Sequence, residues 1–154
     1  MRITLISLGK FKKNSVHRAL FEEYADRLQW MFDLKELAVK SPSANVSTRQ
    51  EQEAALIMEA LPTESIVFAL DERGGDISSS TFSKLLEKHI NAGNSHFTFI
   101  IGGADGLHES VREKAKHLMA FGKTTWPHMM VRGMLAEQLY RAQQTLKGHP
   151  YHKE

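Results

Sequence analysis

The sequence predicts an α/β fold: a mostly parallel sheet with helices on both faces. Three observations predict it. Strand-like and helix-like segments alternate from one end of the chain to the other. The strand-like segments are continuous apolar runs such as RITLISL, SIVFAL and HFTFII, the pattern of strands covered on both faces. The 154 residues contain no linker, repeat or low-complexity stretch, so one domain over residues 1–154 is expected. A domain of that size buries about 70% of its unfolded surface and needs no covalent staple.

Taken in order, Arg2 to Leu8 reads as a strand, and Ser15 to Trp30 as a helix with Val16, Ala19, Leu20, Tyr24 and Leu28 on one side. Phe32 to Val39 is strand-like, and a polar loop from Lys40 to Val46 follows. Ser47-Thr48-Arg49-Gln50 fits a capping box opening a helix that runs to about Leu61, where Pro62 stops it. Ser65 to Leu70 is a short strand ending in the turn-rich Asp71 to Asp76. Thr81 to Asn91 carries Phe82, Leu85, Leu86, His89 and Ile90 at helical spacing. His96 to Ile101, rich in aromatic and β-branched residues, is the most strand-like segment of all. A short helix from Glu109 to Lys116, a short strand from Leu118 to Phe121 and a long helix from Met129 to Leu146 complete the order.

Composition narrows the function classes. There is no cysteine, which excludes disulfides, thiolate metal sites and cysteine nucleophiles. The apolar run after Met1-Arg2 is too short for a signal sequence, and no stretch approaches the ~20 apolar residues of a membrane span, so a soluble, cytoplasmic protein is expected. The net charge of +2 is too mild to demand nucleic acid. Its distribution is more informative: Lys10, Lys12, Lys13, His17 and Arg18 form an acid-free run, and Lys147, His149, His152 and Lys153 lie near the C-terminus. Either they are solvated patches or they contact phosphate.

In open α/β sheets ligands bind beyond the carboxyl ends of strands. Three such ends stand out. Leu70-Asp71-Glu72-Arg73-Gly74 follows the third strand, and is either an ordinary turn or a ligand loop. Gly102-Gly103-Ala104-Asp105-Gly106 follows the fourth; glycines let a backbone approach a ligand closely, although a tight turn also uses them. Phe121 to His128 joins the last strand to the final helix, with Trp126 and Pro127 in a loop that needs a packing or binding reason. The first strand ends in Leu8-Gly9-Lys10-Phe11, which lacks the G-x-G-x-x-G of a dinucleotide fold, and no phosphate-binding P-loop occurs. Any nucleotide is therefore bound by a different device. His149 and His152 have metal-compatible spacing, but Pro150 breaks the helix that would aim them; no metal is expected. Ser7 and Ser110 lack a nucleophile-elbow context, and Met129, Met130 and Met134 read as packing residues.

Together, three segments carry a resemblance. Ile101-Gly102-Gly103-Ala104-Asp105-Gly106-Leu107 resembles the cofactor loop of SPOUT methyltransferases. Thr124 to Arg132, followed by Ala136-Glu137-Gln138-Leu139-Tyr140-Arg141-Ala142, is similar to the knot loop and final helix of one branch, and His149-Pro150-Tyr151-His152-Lys153-Glu154 to its tail. That branch is the ribosomal RNA large subunit methyltransferase H (RlmH) family, and the resemblance spans essentially the whole chain. It implies a homodimer with a SPOUT-type C-terminal trefoil knot, a feature periodicity cannot reveal. It implies S-adenosyl-L-methionine as cofactor and N3-methylation of a pseudouridine in 23S rRNA of the assembled 70S ribosome. Carried across, the cofactor-binding residues are Leu70, Gly102, Gly103, Phe121, Gly122, Lys123, Thr124, Thr125 and Trp126. These coincide with the strand ends chosen above.

Methyl transfer needs an aligned nucleophile and an acceptor for the N3 proton. The candidates are His128, Glu137, Tyr151 and His152, with Arg132 to hold a phosphate or stabilise oxygen charge. Two of them have competing roles: His128 as a loop histidine bonded to backbone, and Glu137 as the i, i+4 partner of Arg141. No residue declares itself the base. The basic N-terminal loop and the tail are expected to bind phosphates around an unstacked nucleotide, in a dimer that joins the active loops of one subunit to the patch of the other. Two alternatives are a SPOUT methyltransferase acting on tRNA and a non-catalytic ribosome-binding module.

Overall fold

The computed structural model describes residues 1–149. Its elements alternate as expected: β1 (Arg2–Leu8), α1 (Val16–Ala25), β2 (Met31–Leu37), α2 (Val46–Ala60), β3 (Ile66–Asp76), α3 (Ser79–Asn91), β4 (His96–Ile101), α4 (Glu109–Lys114), β5 (His117–Ala120) and α5 (His128–Leu146). The strands form one sheet in the order β2-β1-β4-β3-β5, with every neighbouring pair parallel. Successive side chains on a strand point to opposite faces, so each strand feeds two cores. On one face Ile3, Leu5, Phe68, Phe97 and Phe99 pack against Phe21 of α1, Phe82 and Leu86 of α3, and Leu135 and Leu139 of α5. On the other, Ile6, Val67, Ala69 and Ile100 meet Ala54 and Ile57 of α2 and Val111 of α4.

Four departures from the sequence reading have physical causes. Helix α1 ends at Ala25 rather than Trp30, because Gln143 of α5 accepts the backbone N–H groups of Gln29 (2.9 Å) and Trp30 (3.3 Å) and draws the chain into a turn. Helix α2 opens earlier than the expected capping box: Asn45 is the cap, its side chain accepting from the Thr48 amide at 3.0 Å. Strand β2 is half-exposed throughout, not doubly covered, because it is an edge strand. Its Asp33 pairs with Arg2 at 2.6 Å.

The fourth departure shapes the ligand end of the sheet. Strand β3 does not stop at Leu70 but resumes pairing with β5, since both Leu70 and Gly75 lie opposite Met119. Residues 71 to 74 are therefore extruded as a bulge at the carboxyl edge. Gly74 makes this possible: a Cβ there would lie 2.5 Å from the Met119 backbone nitrogen.

At the other half of that edge, the end of β1 is closed by Arg132. Its side chain is fully buried. It donates to the carbonyls of Leu8 (2.7 Å) and Gly9 (3.0 Å) and to Glu36 of β2 (2.9 Å), with its guanidinium 4.6 Å from the Phe11 ring centroid. Glu36 also accepts the Phe11 amide at 2.7 Å. Burial lowers the Arg132 pKa and Glu36 counters it, yet an arginine stays charged in this setting. The expected phosphate-holding role for Arg132 is thereby corrected: carbonyls and a carboxylate engage both terminal nitrogens, and although Nε has no partner among the described residues it is buried as well, so no part of the group is exposed to a ligand. Removing one partner of a buried charge pair leaves the other uncompensated, so Arg132→Ala should cost about 3–5 kcal/mol of folding stability. Urea unfolding measures it; a loss under about 1 kcal/mol, the scale of exposed pairs, would contradict the structural role.

Candidate active site

With β1 plugged, the open part of the carboxyl edge lies above β4, β3 and β5. A cavity of about 660 Å³, open mouth included, sits there. Its floor is apolar, made by Leu70, Ile101, Leu107, Met119, Ala120 and Phe121, and its rim by Gly102, Gly103 and Gly106 of the glycine loop and by Gly122, Thr124, Thr125 and Trp126. Of the cofactor residues read from sequence, Leu70, Gly102, Gly103, Phe121, Gly122, Thr124, Thr125 and Trp126 line it. Lys123 lines neither this cavity nor its neighbour.

Each wall is held by specific contacts. The glycine loop closes on itself through the Gly106 amide and the Gly103 carbonyl (3.2 Å). From outside, α2 clamps it: Arg49 donates to the Asp105 carboxylate at 2.7 Å, and Gln50 to the Asp105 carbonyl at 2.6 Å. The arginine in turn holds the Asp105 carboxyl below its ordinary pKa. A Cβ on Gly102 would come within 2.9 Å of the Leu107 side chain, so a residue without one keeps the floor flat. The bulge after Leu70 is locked by Asp71, which accepts the Arg73 amide at 2.9 Å and pairs with Arg112 at 3.3 Å. Arg112 also donates to the Leu107 carbonyl, joining two walls through one side chain. Across the mouth the Trp126 indole N–H donates to the Phe121 carbonyl at 2.8 Å, closing the third loop.

His128 is the first residue of α5 and lines both this cavity and a larger polar chamber beside it. Among the described residues its ring makes no hydrogen bond, so the backbone-bonded alternative is not what the structure adopts. Burial, then the nearby Arg132, pushes its pKa below the usual histidine value. His128 therefore lines the cavity with its pKa held below the usual value and its ring free of hydrogen bonds among the described residues. Glu137 does not: it accepts from Arg141 (2.7 and 3.0 Å) and from Gln138 (2.6 Å). It lines a separate groove between α1 and α5, about 13 Å along the helix from His128 at 1.5 Å per residue. Tyr151 and His152 lie outside the described residues.

The reading from sequence missed Asp71, Arg112, Arg49 and Gln50 as wall supports. Their signal is tertiary: Arg49 and Asp105 are 56 residues apart, Arg112 and Asp71 41. Lys10, Lys12 and Lys13 are exposed and follow β1 on the same edge of the sheet as the cavity. No group of three or more His, Asp or Glu side chains suited to a metal ion occurs among the described residues.

A family model described as "Predicted SPOUT methyltransferase" matches residues 1–152. Proteins named ribosomal RNA large subunit methyltransferase H are similar over nearly full length. The one from Rhodospirillum centenum is 47% identical over 153 residues, and that from Paramagnetospirillum magneticum 44% over 153, each covering 99% of both chains. A crystal structure of a probable methyltransferase from Bordetella pertussis superposes with a TM-score of 0.60 over 92% of this chain and 95% of its own. At 12% identity that likeness speaks to the fold alone. By the family model and these relatives, the chain belongs to the SPOUT methyltransferases and, among them, to the ribosomal RNA large subunit methyltransferase H family.

Proposed function

We propose that the protein is an S-adenosyl-L-methionine-dependent methyltransferase that methylates N3 of a pseudouridine in 23S rRNA of the 70S ribosome. The observation that carries the reading is the cavity over β4, β3 and β5, an apolar floor under a backbone-rich rim with a neutral histidine at its mouth. The rRNA substrate is supported by the names of the relatives.

The donor set fits the cofactor. Leu70, Ile101, Leu107 and Phe121 offer apolar contact for an adenine, and the backbone groups of Gly102, Gly103, Gly122, Thr124 and Thr125 can offer hydrogen bonds that need no particular side chain. Once bound, the sulfonium supplies an electrophilic methyl group. The chain's own task is alignment and proton removal. Near-attack positioning can account for about 7–11 kcal/mol of a barrier, and every wall that positions the ligand here is cross-braced. His128 takes the N3 proton: it lines the cavity, burial keeps its pKa below the usual histidine value, and its ring makes no hydrogen bond among the described residues.

The reading includes a homodimer. Val16 (77% exposed) and Leu20 (38%) lie on α1, beside an apolar groove formed with Tyr24, Phe121, Gly133 and Met134. A second copy covering this groove would brace Phe121, and with it the cofactor floor. Sedimentation equilibrium at micromolar concentration should give twice the chain mass; a monomer would remove the dimer from the proposal. The trefoil knot implied by the family is part of the same reading: residues 121 to 127 lead from edge strand β5 into α5, which returns across α1 and α3. An enzyme of ribosomal RNA works in the cytoplasm. No helix among the described residues is long and apolar enough to cross a membrane.

The deciding experiment is labelled methyl transfer to 70S ribosomes, 50S subunits and tRNA in parallel, with nucleoside analysis of the product. N3-methylpseudouridine from 23S rRNA is expected, with 70S the preferred acceptor. Label found only in tRNA would overturn the substrate, and failure to bind S-adenosyl-L-methionine in calorimetry would leave a non-catalytic ribosome-binding module. For His128, the base must be unprotonated to act, and its pKa lies below ~6.5, so kcat/KM should fall only on the acid side of that value. His128→Gln should lower kcat by about 10²–10⁴ and abolish that acid limb. A surviving limb in the variant would assign the proton to another group.

A further inference from the structure

The chamber beside the cofactor cavity has no role yet. It measures about 1280 Å³, open mouth included, and shares Asp71, Glu72, Gly103, Gly106, Thr125, Trp126 and His128 with the apolar cavity. Whatever approaches a methyl group held in the inner cavity from this side must pass through it. Most of its charged lining is already committed. Asp71 is tied to Arg112, Arg112 also to Glu109, and Asp105 to Arg49.

Among its arginines Arg73 is the exception. It lines the outer chamber and not the inner cavity, its side chain is 66% exposed, and its one ion pair among the described residues is a 3.8 Å contact with the similarly exposed Glu109. Such a pair is worth little. Its backbone, by contrast, is fixed. The Arg73 amide donates to Asp71, Asp71 is locked to Arg112, and Gly74 is pressed onto the Met119 backbone. A rigid bulge therefore presents an uncommitted guanidinium at the mouth of a polar chamber. Glu72, the acid next to it, is exposed and lines both cavities, whereas Arg73 lines the outer chamber alone.

Resting on the RNA methyltransferase reading above, we propose that the outer chamber admits the target nucleotide with its base inward toward His128 and its backbone outward, and that Arg73 binds the flanking phosphodiester. An arginine fork matches two phosphate oxygens, and a phosphate contact fixes the register of the nucleotide without reading its base. Arg73 is then a substrate-positioning residue, distinct from the cofactor site and from the proton acceptor.

The test uses 70S ribosomes from cells lacking this protein, with the wild type, Arg73→Gln and Arg73→Lys. The exposed position leaves folding intact, and equal thermal midpoints verify it. Arg73→Gln should raise KM for ribosomes about tenfold, the scale of one charge-assisted contact. It should leave kcat and the Kd for S-adenosyl-L-methionine within about twofold, and it should reduce the salt slope of ribosome binding by about one. Arg73→Lys keeps the charge without the fork and should recover part of the loss. Weakened S-adenosyl-L-methionine binding with unchanged ribosome KM would overturn the proposal, since Arg73 would then serve the carboxylate of the cofactor. No change in either would overturn it as well. A wild type inactive on ribosomes would instead refute the functional reading. The salt slope of RNA binding would still decide the phosphate contact.

Discussion

The arrangement of the ligand end depends on one buried charge. In a doubly wound sheet the carboxyl end of the first strand is the usual nucleotide crevice. Here Arg132 fills it, bonded to the last carbonyls of β1 and to Glu36 on β2 and lying over Phe11. The cost of burying a guanidinium is offset only when its partners are well placed, and they are placed by three separate elements. The same contact fixes where α5 starts and how it crosses the sheet, because Arg132 lies one turn into the helix. With that crevice closed, the free backbone edge is over β4, β3 and β5, and the cavity is found there.

The second constraint is the extruded segment of β3. A strand that ended at Leu70 would leave Asp71 to Gly74 as an unsupported turn. Resumed pairing at Gly75 pins both ends of the segment to β5, so the cavity wall has the rigidity of a sheet while its side chains still reach a ligand. Opposite it, the glycine turn is stiffened by α2 as well as by its own Gly106–Gly103 hydrogen bond. Arg112 connects the two through Asp71 and the Leu107 carbonyl. A ligand therefore meets loops that are already ordered, and little of its binding energy is spent on ordering them.

How much of this was legible in the sequence follows from which interactions are local. Alternation of apolar runs with helical spacing gave every element in order, because it reports burial against any neighbour. The strand-end glycines and Phe121 to Trp126 marked the cavity because ligand loops at such ends share a backbone requirement. The end of α1 was misjudged because Gln143, more than a hundred residues on, turns the chain there. The fate of Arg132 was misjudged for the same reason. An arginine one turn after a loop histidine has the spacing of a ligand-holding pair, and nothing nearby in sequence shows that Leu8, Gly9 and Glu36 await it. Glu137 went the other way: its i, i+4 partner Arg141 was visible, and the local pair is what formed.

These placements bear on how variants of α5 should be interpreted. One helix presents His128 to the cavity, buries Arg132 beneath the sheet edge, meets Leu20 of α1 through Gly133, and directs Glu137 into the α1–α5 groove. A Cβ on Gly133 would lie 2.8 Å from Leu20, so even a methyl group there pushes the two helices apart. Loss of activity on changing Arg132 or Gly133 would thus arise through displacement of His128 and Phe121, without either residue touching a reactant. The two kinds of residue are separable by experiment. A chemical role lowers kcat at unchanged stability, whereas a positional role in this helix lowers stability as well, because the Arg132 plug and His128 share one rigid element.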